Sequence, residues 1–319
     1  MKKSLKLVGR IIMWIVILIT LLFITIAGYH HRMLRKEAKG IQAVGTLVEV
    51  DGYKMNILVD GVDTKKGSPT IVLLSGSGVA APVYDYKILY SKLTDSYQVA
   101  VIEKFGYGYS DICGLPRDVR TMVEEDRKAL KIKGQNGPYV LMPHSMSALE
   151  ALYWASTYPN EVKAIIGLDM AVPGSYNEKD AQRFKLSFNK IMTSLLGLQR
   201  IPAIGNIHKD GLSEQEAKQL KRLVYRNTLN NDVYAECQLV YENARRVGKL
   251  KKPDIPILMF TTNLGDPVTG KYWMAAQNDF ARQSANCTQI KLNCGHNLHY
   301  YKSDYIAQEI KKFMNSLEQ

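Results

Sequence analysis

The stretch Tyr139-Val-Leu-Met-Pro-His-Ser-Met-Ser-Ala148 decides the fold of this chain. It begins as a short apolar run, typical of a buried strand, and the residues after Ser145 have the composition of a helix. Ser145 therefore stands where a strand passes directly into a helix. A sharp turn there exposes the serine hydroxyl, and the new helix N-terminus offers N–H groups to an oxyanion. Because serine is also a common helix cap, its role depends on the rest of the chain.

Short apolar runs alternate with helical stretches on both sides of this junction. Asp51-Gly52 marks the turn of an antiparallel hairpin. The remaining alternation predicts an α/β fold with a mostly parallel central sheet flanked by helices. The hairpin covers residues 46–61, the predicted strands 70–76, 97–106, 139–145, 162–170, 255–262 and 288–293, and the predicted helices 81–93, 119–131, 146–158, 271–285 and 304–317.

The alternation stops between residues 171 and 252, where the pattern is helical throughout. Phe184, Phe188, Ile191 and Leu195 recur at the helical period, and Ser213-Glu-Gln-Glu216 has the pattern of a capping box. A helical insertion within a parallel sheet is most simply a cap over the strand ends, where such sheets bind ligands. We therefore predict a core of residues 45–170 and 253–319, with a cap inserted before the last two strands.

Two further loops supply the partners that a nucleophilic serine requires. TTNLGDP (261–267) places Asp266 after a late strand, and LNCGHNLHY (292–300) places His296 after the last strand. The order Ser, Asp, His along the chain is the order used by serine enzymes with a strand–turn–helix nucleophile. We predict Ser145, Asp266 and His296 as a catalytic triad.

The Gly-rich turn LLSGSG (73–78) ends the first parallel strand, close to the predicted site. Its Ser77 N–H and the N–H of Met146 are the predicted oxyanion donors. His296 would take the proton of Ser145 as Oγ attacks a carbonyl, and would then activate water to hydrolyse the acyl-enzyme.

With these motifs, the chain from about residue 45 to its end resembles the α/β-hydrolase superfamily. EKFGYGYSD (103–111) is similar to the family's Asp-Arg-x-Gly-x-Gly-x-Ser stretch, and residues 137–169 resemble its elbow helix and following strand. The resemblance implies a serine hydrolase with a small-molecule or lipid-derived acyl substrate and no cofactor. The serine at the elbow argues against relatives with an aspartate there, such as epoxide hydrolases and dehalogenases.

The chain departs from the family pattern at the elbow and at the oxyanion loop. Pro143 and Ser147 stand where glycine is usual, and Ser75 replaces the histidine that often opens the oxyanion loop. Alternative assignments are Ser147 as nucleophile and Asp169, which also ends a strand, as the acid. His299 is interpreted as a helix-start or pocket residue, and His144 as a locally bonded one.

Three functions fit these residues. Carboxylesterase-like or lipase-like cleavage of an ester comes first, because a membrane tether would hold the enzyme near lipid. The alternatives are a non-catalytic binding protein on the same fold and aminopeptidase activity similar to proline iminopeptidase. The aminopeptidase requires an acidic site in the cap for a substrate amine, for which the candidates are Glu214, Glu216, Asp232, Glu236 and Glu242.

The N-terminus contains an uncharged apolar run at residues 11–28, preceded by a basic segment (1–10) and followed by a predicted linker (29–44). At about 1.5 Å per residue this run covers roughly 27 Å, close to the thickness of a bilayer core. The run is longer than the core of most signal peptides, so we predict a single-pass membrane anchor, with a cleavable signal as the alternative. A large domain after such an anchor commonly lies outside the cytoplasm, and we expect that here.

The net charge of +12 arises mainly at this anchor, because residues 1–40 contribute +7 of it. Such charges suit anionic lipid head groups, and no motif in the remainder predicts nucleic-acid binding. No Cys/His spacing resembles a metal site. The four cysteines are interpreted as small apolar residues, since Cys287 and Cys294 flank a predicted strand and lie too far apart to bridge.

Overall fold

The computed structural model describes residues 2–62, 68–176, 183–201, 207–263 and 270–317. Its eight strands form one sheet in the order β1-β2-β4-β3-β5-β6-β7-β8. The strands are β1 Thr46–Val50, β2 Tyr53–Gly61, β3 Thr70–Leu74, β4 Gln98–Glu103, β5 Tyr139–Pro143, β6 Val162–Leu168, β7 Ile257–Thr262 and β8 Cys287–Leu292.

The sheet is antiparallel at one edge and parallel elsewhere. β1 and β2 form the predicted hairpin, in which Asp51 and Gly52 both have positive φ, as a tight two-residue turn requires. β2 pairs antiparallel with β4, and every later pairing is parallel. All residues of β3 and β5 are buried, because helices cover both faces of the sheet. The predicted fold class is confirmed.

Ten α-helices are described in addition to short 3-10 and π turns, and two of the predicted helices differ from the observed ones by more than three residues or by a break. The segment predicted as 81–93 forms two one-turn helices, and the last helix begins at Leu298, six residues before its predicted start. The helices are α1 Lys2–Ala38, α2 Pro82–Asp85, α3 Lys87–Tyr90, α4 Val119–Ile132, α5 Ala148–Thr157, α6 Arg183–Lys190, α7 Glu214–Asn227, α8 Asn231–Gly248, α9 Gly270–Arg282 and α10 Leu298–Ser316.

The cap between β6 and β7 consists of α6, α7, α8 and the short turns between them. The predicted capping box begins α7: Ser213 Oγ accepts a hydrogen bond from Glu216 N at 3.3 Å, and Glu216 Oε2 accepts one from Ser213 N at 2.9 Å. α8 begins at Asn230, whose side chain accepts hydrogen bonds from Asp232 N and Val233 N. The Phe184 side chain lies outside the described part of the structure.

The cap is hydrogen-bonded to the segment 103–114, which follows β4. Asn230 Nδ2 donates to Gly106 O at 2.7 Å, and Asp232 accepts from Cys113 N and Gly114 N, each at 2.7 Å. Arg226 donates to the carbonyl of Gly108 at 2.9 Å. These buried polar contacts hold the cap helices to the carboxyl edge of the sheet.

Lys104 belongs to this segment and contacts both the core and the cap. It is buried, and its Nζ lies 2.6 Å from Glu150 Oε1 on α5 and 2.5 Å from Glu236 Oε1 on α8. Tyr107 also donates to Glu236, at 2.6 Å. One buried lysine therefore joins the helix that follows Ser145 to the cap.

The N-terminal helix α1 is continuous from the apolar run to Ala38, so most of the segment predicted as a linker (29–44) is helical. By length and composition it is the one helix in the described residues that could cross a membrane. Its C-terminal part packs against α7 and the cap turn Ile191–Leu195.

Candidate active site

Ser145 occupies the turn between β5 and α5, as predicted. Its φ of 55° lies in the left-handed region, a strained conformation that turns the chain sharply out of the strand. The adjacent loop needs a small residue, since a Cβ at Gly76 would lie only 3.0 Å from Ser145 Cβ. Pro143 ends β5 without loss of sheet pairing, because His144 N donates to Leu74 O at 3.0 Å.

Ser145 and His296 are brought together as predicted. His296 Nε2 lies 2.9 Å from Ser145 Oγ, within hydrogen-bond distance of the proton that a general base would remove. His296 Nδ1 lies 2.5 Å from Asp169 Oδ2. The three side chains follow β5, β6 and β8, so they meet at the carboxyl edge of the sheet.

Among the described residues, the acidic partner of the histidine is Asp169, the alternative considered from the sequence. An imidazole has one Nδ1 position, and Asp169 occupies it at hydrogen-bond distance. Asp266 lies outside the described residues, and its assignment as the acid stays a prediction. Asp169 is fully buried and has a φ of 40°, which aims its side chain across the strand ends.

The second carboxylate oxygen of Asp169 is held by two donors. Gln277 Nε2 lies 2.9 Å from Asp169 Oδ1, and the Thr262 N–H donates to the same oxygen at 3.3 Å. Gln277 is fully buried on α9 and also donates to Met170 O at 3.0 Å. The sequence analysis missed Gln277, because a glutamine within a helix has no motif that marks it.

The rejected nucleophile Ser147 is a structural residue. It is fully buried, and its hydroxyl donates to Leu74 O at 2.8 Å and lies 2.9 Å from His144 O. These bonds join the elbow to β3.

His144 and His299 are buried beside the candidate site. His144 Nδ1 lies 2.9 Å from the Tyr86 hydroxyl, and its Nε2 lies 3.3 Å from His296 O. Burial, and then the neighbouring rings of His296 and His299, hold the pKa of His144 well below its ordinary value, so this ring is neutral. His299 is buried in the first turn of α10, with Nε2 3.2 Å from Asp85 Oδ2. Both histidines therefore have the local roles predicted for them.

The two predicted oxyanion donors, Ser77 and Met146, belong to the segments next to the nucleophile. Met146 follows Ser145 at the helix start, and Ser77 lines the same cavity as Ser145. The hydroxyl of Ser77 lies 2.9 Å from Cys237 Sγ on α8, which holds the oxyanion loop against the cap. Burial raises the pKa of the Cys237 thiol to about 11, so this sulfur stays protonated at neutral pH.

A cavity of about 800 Å³ opens above Ser145 and His296, between the sheet edge and the cap. Its lining is mixed. Apolar side chains come from the oxyanion loop and α7, and polar ones from the cap turns and α10; they include Val79, Leu220, Val224, Thr193, Gln199, His208, Asp210 and Tyr300. A second cavity of about 440 Å³, between α5, α8 and α9, is lined by no residue of the triad. The first cavity is therefore the one that contains Ser145 and His296.

The acidic residues considered for an aminopeptidase site do not line the cavity above Ser145. Glu236 is bound to Lys104 and Tyr107, and Asp232 caps the 113–114 turn. Glu216 is bound to Ser213 and Lys87, and Glu214 pairs with Lys218. These four carboxylates are therefore engaged by partners within the protein.

The described residues contain no group of three or more His, Cys, Asp or Glu side chains that could hold a metal ion. All four cysteines are free thiols, Cys294 buried and the others partly buried.

Comparison with known proteins gives the family. Residues 69–303 match the family described as alpha/beta hydrolase fold. The chain is 34% identical to the uncharacterized protein YbdG of Bacillus subtilis (strain 168) over 328 aligned positions, covering 99% of this chain and all of that one.

Two solved structures share the fold. The enol-lactonase from Burkholderia xenovorans LB400 has a TM-score of 0.65 and 15% identity, over 85% of this chain and 100% of that one. The haloalkane dehalogenase DbeA from Bradyrhizobium elkani USDA94 has a TM-score of 0.63 and 16% identity, over 86% of this chain and 98% of that one. The family match, the near full-length relative and the eight-stranded sheet agree: this chain belongs to the alpha/beta hydrolase family.

Proposed function

We propose that this protein is a membrane-anchored serine hydrolase that cleaves carboxylic esters through an acyl-enzyme on Ser145. The observation that carries the proposal is the chain of contacts from Ser145 Oγ to His296 Nε2 at 2.9 Å and from His296 Nδ1 to Asp169 at 2.5 Å. A nucleophile, a base and an orienting carboxylate in this order are the requirements for serine acyl transfer.

In the first step His296 takes the proton of Ser145 while Oγ attacks the ester carbonyl carbon. The negative charge on the carbonyl oxygen is stabilised by the N–H groups of Ser77 and Met146. Asp169 stabilises the imidazolium that forms. As the tetrahedral intermediate collapses, His296 returns the proton to the leaving alcohol and Ser145 keeps the acyl group.

In the second step water enters, His296 accepts its proton, and the hydroxide attacks the acyl carbon. Collapse of the second intermediate releases the carboxylic acid and restores Ser145. The cap covers the site, and such coverage strengthens the electrostatic interactions of the oxyanion donors by excluding bulk water.

Membrane attachment is the second part of the proposal. α1 has an apolar run flanked by basic residues, and its apolar side chains from Leu7 to Ile24 are exposed on the protein. A single-pass anchor accounts for this exposure, because lipid would cover these side chains. The cavity of about 800 Å³ is large enough for a small or lipid-derived acyl substrate.

Labelling of the full-length protein with a fluorophosphonate tests the catalytic assignment. We expect one adduct, on Ser145, found by intact mass and peptide mapping and lost in Ser145→Ala and His296→Ala. Ser147→Ala is the matched control and keeps the adduct, since the Ser147 hydroxyl bonds to Leu74 O and His144 O and has no contact with His296. Absence of labelling on folded protein would favour the binding-protein alternative.

Paired substrates test the ester assignment. A series of p-nitrophenyl esters and a series of aminoacyl p-nitroanilides should give turnover with the esters and little with the anilides. Turnover of prolyl anilides above that of the esters would support the aminopeptidase instead.

A further inference from the structure

Four apolar side chains on the cap are exposed to solvent. They are Phe188, Ile191, Leu195 and Ile201, with exposed fractions of 50%, 48%, 46% and 45%. Phe188, Ile191 and Leu195 follow the helical period, so the apolar stripe of this segment faces outwards and does not pack into the core. We call these four residues the cap patch.

The cap patch belongs to the part of the cap that contacts α1. His30 on α1 is buried; Arg200 Nε donates to its Nδ1 at 2.8 Å, and a Cβ at Gly197 would overlap the His30 ring. Arg200 also forms a two-pronged ion pair with Glu37, with both N–O distances at 2.7 Å. These contacts fix the position of the cap along the axis of α1.

The contacts between the cap and the N-terminal segment occur in the same order along both. His30 meets the turn around residues 194–197, Glu37 meets Arg200, and Gly40 O accepts from Gln219 on α7 at 2.9 Å. His30 and Glu37 lie roughly 10 Å apart along the axis of α1, and Gly40 follows the end of that helix. The cap is therefore held alongside α1, with the turn Ile191–Leu195 nearest to the apolar run.

This arrangement places the cap patch level with the expected membrane surface. The uncharged run ends at Gly28, and His30 lies only about 3 Å further along the axis. Arg32, Arg35 and Lys36 follow on α1 and are exposed. Arginine and lysine at this height suit the anionic head groups of the bilayer.

We propose that the cap patch is a membrane-contact surface, inserted at the boundary between head groups and acyl chains of the bilayer that α1 spans. This inference rests on the proposed membrane anchor and extends it: the protein touches the membrane through its cap as well as through one helix. Exposed apolar side chains grouped beside a membrane anchor suit the boundary between head groups and acyl chains.

Contact of the cap patch with lipid would affect how a substrate reaches Ser145. Thr193 and Gln199 belong to the same cap turns as the cap patch, and they line the cavity that contains Ser145 and His296. Contact of the patch with lipid would place this cavity beside the interface. An amphiphilic ester could then pass from the membrane to the site without crossing bulk water.

Photo-crosslinking of the full-length protein in vesicles of phosphatidylcholine and phosphatidylglycerol tests the inference. The residue p-benzoylphenylalanine is introduced singly at Ile191 and at Leu195. Ile17 within the apolar run serves as the anchor control. Ile132, 57% exposed at the C-terminal end of α4, is the matched negative control, because it lies at the sheet edge opposite the cap.

Lipid adducts at 191 and 195 that approach the yield at 17, and exceed the yield at 132 by about fivefold or more, are the expected result. Adducts at 17 alone would overturn the inference and leave the anchor intact. Crosslinks from 191 or 195 to a second copy of the chain would overturn it in favour of self-association. Absence of adducts at 17 would overturn the anchor and the inference together, while fluorophosphonate labelling of Ser145 in the same vesicles reports the hydrolase separately.

Discussion

The carboxylate of Asp169 lies 2.5 Å from Nδ1 of His296, and its other oxygen accepts from Gln277 and from the Thr262 N–H. Both oxygens of a buried carboxylate are thus satisfied, which fixes its orientation towards the histidine. The imidazole is held with Nε2 facing Ser145 Oγ at 2.9 Å. The reactivity proposed for Ser145 therefore depends on residues from β6, β7, α9 and the last loop.

Replacement of Asp169 tests this arrangement. Asp169→Asn removes the charge that stabilises the imidazolium, and we expect kcat to fall by about 10³- to 10⁴-fold. The measurement is p-nitrophenyl ester hydrolysis together with the rate of fluorophosphonate labelling. Asp266→Asn is the control, with an expected change within about twofold. The opposite pattern, with the large loss in the Asp266 variant, would return the acid role to Asp266.

Gln277 is predicted to position Asp169. Gln277→Leu removes one hydrogen bond to a charged group, worth about 1.5–3 kcal/mol, so kcat should fall about 10- to 100-fold. KM should stay unchanged, since Gln277 is buried and does not line the cavity that contains Ser145.

The readout is kcat per site titrated with fluorophosphonate, so that loss of folded protein does not count as loss of catalysis. Gln283→Leu, an exposed position just after α9, is the control and should retain kcat. A variant with normal kcat per titrated site and only a lower melting temperature would show that Gln277 is structural.

Lys104 is predicted to be essential to stability. Lys104→Met leaves Glu150 and Glu236 buried without their cation, and breaking a buried pair costs about 3–5 kcal/mol of the free energy of unfolding. The comparison is Lys128→Met, which removes an exposed ion pair with Asp51 and should cost less than about 1 kcal/mol. Urea denaturation of both variants measures the difference, and equal losses would contradict the prediction.

Asp126 is predicted to make stability depend on pH. Neither carboxylate oxygen has a hydrogen-bond partner among the described residues, and burial, then the charge of Glu150, raises the pKa of Asp126 well above its ordinary value. The folded protein therefore holds this proton where the unfolded chain, with an ordinary pKa of 3.8, has released it. The contribution of Asp126 to the free energy of unfolding therefore falls as the pH rises above 3.8.

Asp126→Asn removes this dependence, so its stability relative to wild type should increase with pH, by up to about 1.4 kcal/mol per pH unit below the folded pKa. Paired denaturation curves at several pH values measure the trend. Asp95→Asn is the control of opposite sign, because the hydrogen bond from Lys311 lowers the pKa of the exposed Asp95. A relative stability of Asp126→Asn that is flat with pH would contradict the prediction.

Local patterns were sufficient to predict most of the fold. The apolar runs of β3 and β5 are fully buried strands, Asp51-Gly52 forms the hairpin turn, and Ser213 with Glu216 begins α7 as a capping box. These features depend on neighbours in the chain, through strand and helix periodicity and through hydrogen bonds over three residues. Helix bounds were less predictable, as in α10, because tertiary packing decides where a helix frays.

The sequence by itself determined the superfamily, the elbow serine and the histidine after the last strand, because each is marked by its position next to a strand. Only the tertiary structure brings Asp169 to Nδ1 of His296, since side chains that follow different strands meet only when the sheet has formed. The tertiary structure also shows that Phe188, Ile191 and Leu195 are exposed. Periodicity indicates that three side chains share a face, but whether that face is buried depends on the helices packed around it.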